Sequence, residues 1–99
     1  MLNQVVLVGR LTKNVEVKDF NEKKVAVIEL AVQRSFNNEK GEYETDNIEI
    51  TLWNSIAENT AEYCIKGDII GVKGRLQTED DRIKVIAEKI TFLSSKSDK

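Results

Sequence analysis

The chain has 99 residues, with 15 Lys and Arg against 17 Asp and Glu, a net charge of −2 and one cysteine. This length suits one domain, a single cysteine excludes an intrachain disulfide, and no apolar run approaches the ~20 residues that span a bilayer. No secretion signal is recognisable at the N-terminus, so a cytoplasmic location is expected. The net negative charge argues mildly against a nucleic-acid partner, because proteins that bind nucleic acid are usually basic.

Alternating apolar residues predict five strands, which cover about residues 3–18, 24–34, 46–54, 69–78 and 82–93. Residues 5–8 are apolar on both phases, so both faces of the first strand are expected to be covered. In the fifth strand the apolar phase switches between Val85 and Ile86, which predicts a β-bulge.

One short helix is predicted between the third and fourth strands. Ser55 and Glu58 fit a capping box at its start, and Gly67 is placed to end it in a left-handed conformation. Gly9 and Gly74 interrupt the first and fourth strands, where glycine marks a bend or a close backbone approach. Three strands, a helix and two strands with these corners predict the all-β, five-stranded Greek-key barrel called the OB-fold. The alternative, an SH3-like barrel, normally lacks that helix.

One tryptophan falls on the polar phase of the third strand. Ile48, Ile50 and Leu52 share the core phase, so Trp53 is predicted to point outward. An outward tryptophan can be a platform for base stacking, which is worth ~1–3 kcal/mol per base. It can equally pack under a loop or in a subunit interface, and the strand phase alone leaves both readings open.

Aromatic residues and cations accompany this tryptophan. Phe36 and Tyr43 lie on a long hairpin, which suits either an arm that wraps nucleic acid or a solvated loop whose aromatics fold back onto the barrel. The candidate phosphate contacts on strand faces are Arg10, Arg34, Lys73, Arg75 and Lys84. Each of these cations is a weak signal alone, because charged residues on outward faces are usually just solvated.

The residues do not favour catalysis. The chain has no histidine, and Cys64 is predicted on the packed face of the helix, so no nucleophile–base set can be assembled. Glu79, Asp80 and Asp81 could hold a hard cation, but three adjacent turn carboxylates are weak evidence for a metal site. We therefore expect no enzymatic activity and no cofactor.

Taken together and in order, these motifs resemble the bacterial and phage single-stranded DNA-binding proteins over residues 1–93, followed by a polar end at residues 94–99. The stretch from Leu2 to Lys13 is similar to the first strand of that family almost residue for residue. The resemblance implies an OB-fold that binds single-stranded DNA without sequence preference in replication, recombination or repair. It also implies a homo-oligomer, most commonly a tetramer whose N-terminal strands pair, with a dimer as the other expectation. Trp53 and Phe36 fall where family members place base-stacking aromatics.

The chain also departs from the family. Asn47 and the Glu79–Asp81 segment occupy places where relatives often carry further aromatic residues, and Tyr43 is a candidate partial substitute. Three carboxylates at this second place would repel phosphate. These departures favour, as an alternative function, a tailless OB-fold adaptor similar to primosomal replication protein N that acts mainly through contacts with replication proteins. The chain ends six residues after the last predicted strand, as expected of a short tailless form or of a trimmed piece.

Overall fold

The computed structural model describes residues 1–94. Its elements in chain order are β1 Val5–Leu11, β2 Lys18–Phe20, β3 Lys23–Asn37, β4 Tyr43–Trp53, α1 Asn54–Tyr63, β5 Ile69–Glu79 and β6 Arg82–Phe92. The strand order is β1-β5-β6-β4-β3-β2, and an additional pairing of β1 with β3 closes five strands into a barrel. β4 and β6 pair in parallel, and the other pairs are antiparallel. This closed barrel, with its helix between β4 and β5, confirms the predicted OB-fold.

The barrel is filled by the alternate, inward-facing apolar residues of its strands. The side chains that are at most 3% exposed include Leu11, Ile28, Leu30, Ile50, Leu52, Ile70 and Val72. The helix adds Ala57 and Cys64, so the predicted packed position of the cysteine is confirmed. Because strand residues alternate between faces, this inward set fixes which residues of β3, β4 and β5 point outward.

Gly9 and Gly74 lie where backbones approach each other closely, as predicted. A Cβ at Gly9 would lie 2.7 Å from the carbonyl oxygen of Ala31, and one at Gly74 would lie 2.2 Å from that of Ile86. Next to Gly9, at Arg10, β1 pairs with both β5 and β3. Both glycines are therefore corners that allow the sheet to curl into a barrel.

The bulge predicted in the last strand is present, but it lies at Glu88. The β5–β6 register shifts so that Lys73 pairs with Lys89 and Gly74 with Ala87, which leaves Glu88 as the extra residue. The switch of apolar phase at Ile86 does not mark the bulge. Ile86 lies outside the barrel core cluster, but it is apolar because it is buried there, at 3% exposure.

The first strand is shorter than predicted. β1 ends at Leu11, and the chain then runs through residues 12–17 without strand structure before β2. The expectation that both faces of residues 5–8 are covered is wrong within this chain, because Val6 and Val8 are 67% and 53% exposed. These side chains share the face of β1 that points away from the core.

β2 is an additional edge strand that the sequence prediction missed, since only its first residue, Lys18, fell within the predicted first strand. It pairs with the start of β3 through the register Phe20↔Lys23. The two residues between them, Asn21 and Glu22, both have left-handed φ values of 50° and 66°. A two-residue turn with both residues left-handed matches the right-handed twist of a hairpin.

The helix begins one residue before the predicted cap. Trp53 is the N-cap and makes no side-chain capping hydrogen bond, so the predicted capping box of Ser55 and Glu58 is wrong. α1 ends at Tyr63, whereas Gly67 lies further along the chain with a φ of 96°. Gly67 is therefore left-handed as predicted, but it shapes the turn that leads to β5.

The chain after β6 stays attached to the barrel at its first residues. The backbone N–H of Ile69 donates a hydrogen bond to Ser94 Oγ at 2.9 Å. The rest of the predicted polar end, residues 95–99, lies outside the described residues. Within residues 1–94, the helix is too short to span a membrane.

Candidate nucleic-acid interface

The outward residues of β3, β4, β6 and β5 form one continuous surface, which we call the outer sheet face. Cross-strand pairs define it, because directly paired residues share one face of a sheet. The pairs are Val25↔Trp53, Val27↔Thr51, Thr51↔Ile86, Arg75↔Ile86 and Gln77↔Lys84. Its centre is apolar, and its β5–β6 side carries cations.

Trp53 lies on the outer sheet face, as its strand phase predicts. It is half-buried, and it lies outside the core cluster of the barrel. The ring of Phe20 packs against it, with the ring centroids 6.4 Å apart and the planes inclined by 52°. Phe20 is itself 57% exposed. The sequence analysis missed Phe20, although the turn-forming Asn21 after it was a signal for the hairpin that positions it.

The two rings line a cavity of about 340 Å³, which we call the Trp53 slot. Its lining residues are Lys18, Asp19, Phe20, Val25, Val27, Thr51, Trp53, Glu79 and Lys84. One side of the slot is therefore aromatic and aliphatic, and its rim is ionic, with Lys84 Nζ 3.1 Å from Glu79 Oε1. A cavity with apolar walls and few polar groups is typical of ligand sites in proteins.

A second cavity of about 540 Å³ lies along the segment before β2. It is lined by Lys13, Asn14, Glu16, Lys18, Val25, Ala26 and Val27. Three of these residues, Lys18, Val25 and Val27, also line the Trp53 slot. The two cavities therefore adjoin at these residues, and we call them together the groove. The sequence analysis missed Lys13 and Lys18 as cations beside it.

The β3–β4 hairpin extends away from the slot as an arm. Phe36 and Tyr43 on this arm are 68% and 54% exposed. Val25 pairs with Trp53, and Phe36 lies eleven residues further along β3, which corresponds to roughly 35 Å at the usual rise of a strand. The structure therefore leaves these aromatics solvent-accessible but does not bring them together with Trp53.

Arg34, also on the arm, is held by two carboxylates. Its guanidinium donates two hydrogen bonds to Asp46, at 3.0 and 2.9 Å, and one to Glu44 at 2.7 Å. The hydrogen bonds from Arg34 lower the pKa of the Asp46 carboxyl and thus favour its charged form. The local charge of this cluster is negative, although the sequence analysis proposed Arg34 as a phosphate contact.

The other predicted cations differ in how strongly they are engaged. Arg75 contacts Glu88 at 3.3 Å, Lys84 contacts Glu79, and Arg10 donates to the carbonyl oxygen of Gly67 at 2.7 Å. Lys73 is exposed and makes no ion pair with any residue between 1 and 94. Arg10 on β1 and Lys73 on β5 lie beside the exposed valines. Lys73 and Arg75 share the outward phase of β5, and Lys84 faces outward on β6.

The acidic segment after β5 forms a tight turn. Asp80 and Asp81 connect the paired residues Glu79 and Arg82, and both have left-handed φ values of 50° and 64°. Asp tolerates this backbone conformation better than most residues. Among residues 1–94, no three His, Cys, Asp or Glu side chains are grouped so that they could hold a metal ion.

Comparison with known proteins finds close relatives over almost the whole chain. The model of the single-strand binding protein family matches residues 2–93. Single-stranded DNA-binding protein B of Bacillus subtilis (strain 168) is 44% identical in an alignment of 106 positions that covers 97% of this chain and 94% of that protein. Single-stranded DNA-binding protein A of the same organism is 45% identical in an alignment of 107 positions that covers 98% of this chain but 62% of that protein.

Solved structures with a similar fold also include single-stranded DNA-binding proteins. The crystal structure of the wild-type single-stranded DNA binding protein from Thermus aquaticus superposes with a TM-score of 0.79 at 27% identity. This match covers 97% of the present chain and 52% of the other. The chain therefore spans about half to two thirds of its longer relatives and nearly all of the short one.

Proposed function

Because this chain belongs to the single-strand binding protein family, we propose that it binds single-stranded DNA on the outer sheet face. The observation that carries the proposal is the half-buried Trp53, which lies on an outward strand face and lines the Trp53 slot. Every base has a π-face, so stacking on Trp53 would give affinity without sequence preference. The names of the relatives state single-stranded DNA binding, which does not favour the alternative of an adaptor that acts mainly through protein contacts.

The cations would neutralise phosphates along this path. Arg75 and Lys84 border the stacking surface, and Lys13 and Lys18 line the groove that continues from it. Arg34 would act with Phe36 and Tyr43 on the arm once phosphate has displaced its carboxylate partners. Arg10 and Lys73 are the phosphate contacts proposed for the β1–β5 side of the barrel. Binding by this set needs no cofactor, and we propose no catalytic role for it.

A homo-oligomer is part of the proposal, with a tetramer as the expected form and a dimer as the other. β1 pairs with β3 only at Arg10 and Leu11, so residues Val5 to Val8 leave one backbone edge open. The same stretch exposes Val6 and Val8. An open strand edge with apolar side chains is a surface on which a second copy can pair. A cytoplasmic location and contacts with replication proteins stay predictions.

Trp53 is the only tryptophan of the chain, so its fluorescence reports directly on the proposed site. We expect an oligomer of dT to quench this fluorescence to saturation, and we expect the affinity to fall steeply with added salt. A DNA duplex of the same length should compete poorly, because its bases are not free to stack on the protein. Absence of both quenching and a gel shift at low salt would show that the proposed function is wrong.

Releasing Arg34 from its partners should strengthen binding. In the double variant Glu44→Gln/Asp46→Asn, the guanidinium is free to contact a phosphate. We expect tighter binding of dT oligomers and a steeper salt dependence, by about 0.7 in the slope of log K against log salt for one added contact on a single strand. Fluorescence titrations at four salt concentrations measure both quantities.

The control removes the same charge from the same arm. Glu39→Gln/Glu42→Gln neutralises two carboxylates that form no ion pair with the described residues. If this variant tightens binding and steepens the slope as much as Glu44→Gln/Asp46→Asn does, overall charge rather than the release of Arg34 is responsible.

A further inference from the structure

Phe20 is an exposed aromatic residue on an element that contributes nothing to the barrel core. All three residues of β2 are exposed, and the strand pairs with β3 alone. Phe20 is 57% exposed, although its ring contacts that of Trp53. An aromatic ring on such an edge exposes apolar surface to water and adds nothing to the barrel core, so this surface is available to a ligand.

The hairpin that carries Phe20 holds it in a defined place. Two left-handed residues, Asn21 and Glu22, form the turn, and an ion pair joins Asp19 to Lys24 across the strands. The register then brings Val25 opposite Trp53, so the hairpin places its own aromatic ring at the edge of the tryptophan. Because the backbone pairing fixes this arrangement, little backbone freedom is lost when a ligand binds.

The slot in front of the two rings has the chemistry of a nucleotide site. Phe20, Trp53, Val25 and Val27 give it an apolar wall for a base, and Lys84 at the rim supplies a cation for a phosphate. Lys84 is held by Glu79, but both side chains are more than 40% exposed. An exposed ion pair contributes little to stability, so breaking the contact between Lys84 and Glu79 costs little.

We propose that Phe20 is a second base-contacting residue, and that one nucleotide of a single strand occupies the Trp53 slot while Lys84 transfers from Glu79 to its phosphate. This inference rests on the proposed function. The two rings are inclined and not stacked on each other, and both line the slot. A base that enters the slot therefore meets two aromatic rings and not one.

The first test is the substitution Phe20→Leu, which keeps apolar bulk and removes the aromatic ring. We expect affinity for a labelled dT oligomer to fall by about 5- to 100-fold, the range that corresponds to loss of stacking on one ring. The matched control is Phe92→Leu, because Phe92 forms a similar inclined pair with Tyr63, with centroids 5.8 Å apart, on the helix side of the barrel. We expect the control to bind as wild type.

The second test moves the fluorescent reporter into the slot. In Phe20→Trp/Trp53→Phe, the single tryptophan stands at position 20, and dT should quench it to saturation. In Phe92→Trp/Trp53→Phe it stands on the helix side, and dT should leave its emission unchanged. Lys84→Gln should lower the salt slope by about 0.7, which corresponds to one phosphate contact on a single strand.

The outcomes separate this inference from the function on which it rests. If wild type fails to bind dT at low salt, the proposed function is wrong. If wild type binds but Phe20→Leu keeps its affinity, or the tryptophan at position 20 is not quenched, the role of Phe20 is wrong. An unchanged salt slope in Lys84→Gln would refute the transfer of Lys84 to phosphate.

Discussion

Trp53→Ala should weaken binding of single-stranded DNA by about 10- to 100-fold, because it removes the proposed stacking surface, and base stacking on an aromatic ring is worth ~1–3 kcal/mol. The variant should remain folded, since Trp53 lies outside the core cluster of the barrel. Trp53→Phe keeps a smaller aromatic ring, so its affinity for single-stranded DNA should lie between those of the alanine variant and wild type. Fluorescence anisotropy of a labelled dT oligomer measures the affinities of wild type and both variants, because it does not depend on the tryptophan that is lost.

The control for this prediction is another aromatic residue that lies outside the core cluster of the barrel. Tyr63 on the helix is 52% exposed and contacts a single aromatic neighbour, Phe92. Tyr63→Ala should leave the affinity within about twofold of wild type. If Trp53→Ala and wild type are both folded and bind with equal affinity, stacking on Trp53 does not contribute to binding.

Gly74→Ala should lower the free energy of unfolding by about 3 kcal/mol or more, the upper range for forcing extra atoms into a packed site. The added Cβ would lie 2.2 Å from the carbonyl oxygen of Ile86, and backbone atoms on both sides of the contact have little room to move. Urea unfolding at fixed protein concentration measures the effect, because assembly makes apparent stability depend on concentration.

Gly71 provides the matched control in the same strand. A Cβ there has its nearest neighbour, Leu93 Cδ1, at 3.7 Å, which is ordinary contact. Gly71→Ala should change the free energy of unfolding by less than about 1 kcal/mol, because alanine is entropically favoured over glycine within a strand. Similar losses in both variants would show that the close approach at Gly74 does not shape the barrel.

The barrel could be predicted because its signals are local and repeated. Inward residues such as Ile28, Ile50 and Val72 follow the two-residue period, and the glycines in β1 and β5 mark the corners. The same period places Trp53 on the outward face. β2 could not be recognised in this way, because three exposed residues are too few to show an alternation.

The helix start shows a different limit of sequence patterns. Ser55 and Glu58 have the spacing of a capping box, but β4 continues to Trp53 and the chain enters the helix directly at Asn54. The strand pairing of Trp53 with Val25 fixes where the extended backbone ends. Tertiary pairing thus decides the boundary, and a local motif cannot report it.

The sequence proposes the residue types of the candidate site but not the contacts that those residues make. Arg34 was identified as a cation, yet its charge is balanced by Glu44 and Asp46, which only the β3–β4 register brings beside it. Likewise, Phe20 and Trp53 are 33 residues apart in the sequence, and their rings meet because β3 pairs with β2 on one side and with β4 on the other. Such pairings depend on long-range geometry, which composition and phase do not encode.

The single indole N–H of Trp53 allows the most direct test of binding at the outer sheet face. In a ¹H–¹⁵N correlation spectrum of labelled protein titrated with a dT oligomer, we predict that this resonance shifts together with the amides of Val27, Thr51 and Gln77. The amides of Tyr63 and Ile65, on the helix side, should keep their positions. An unmoved indole resonance, with the largest shifts on the helix side, would contradict binding at this face.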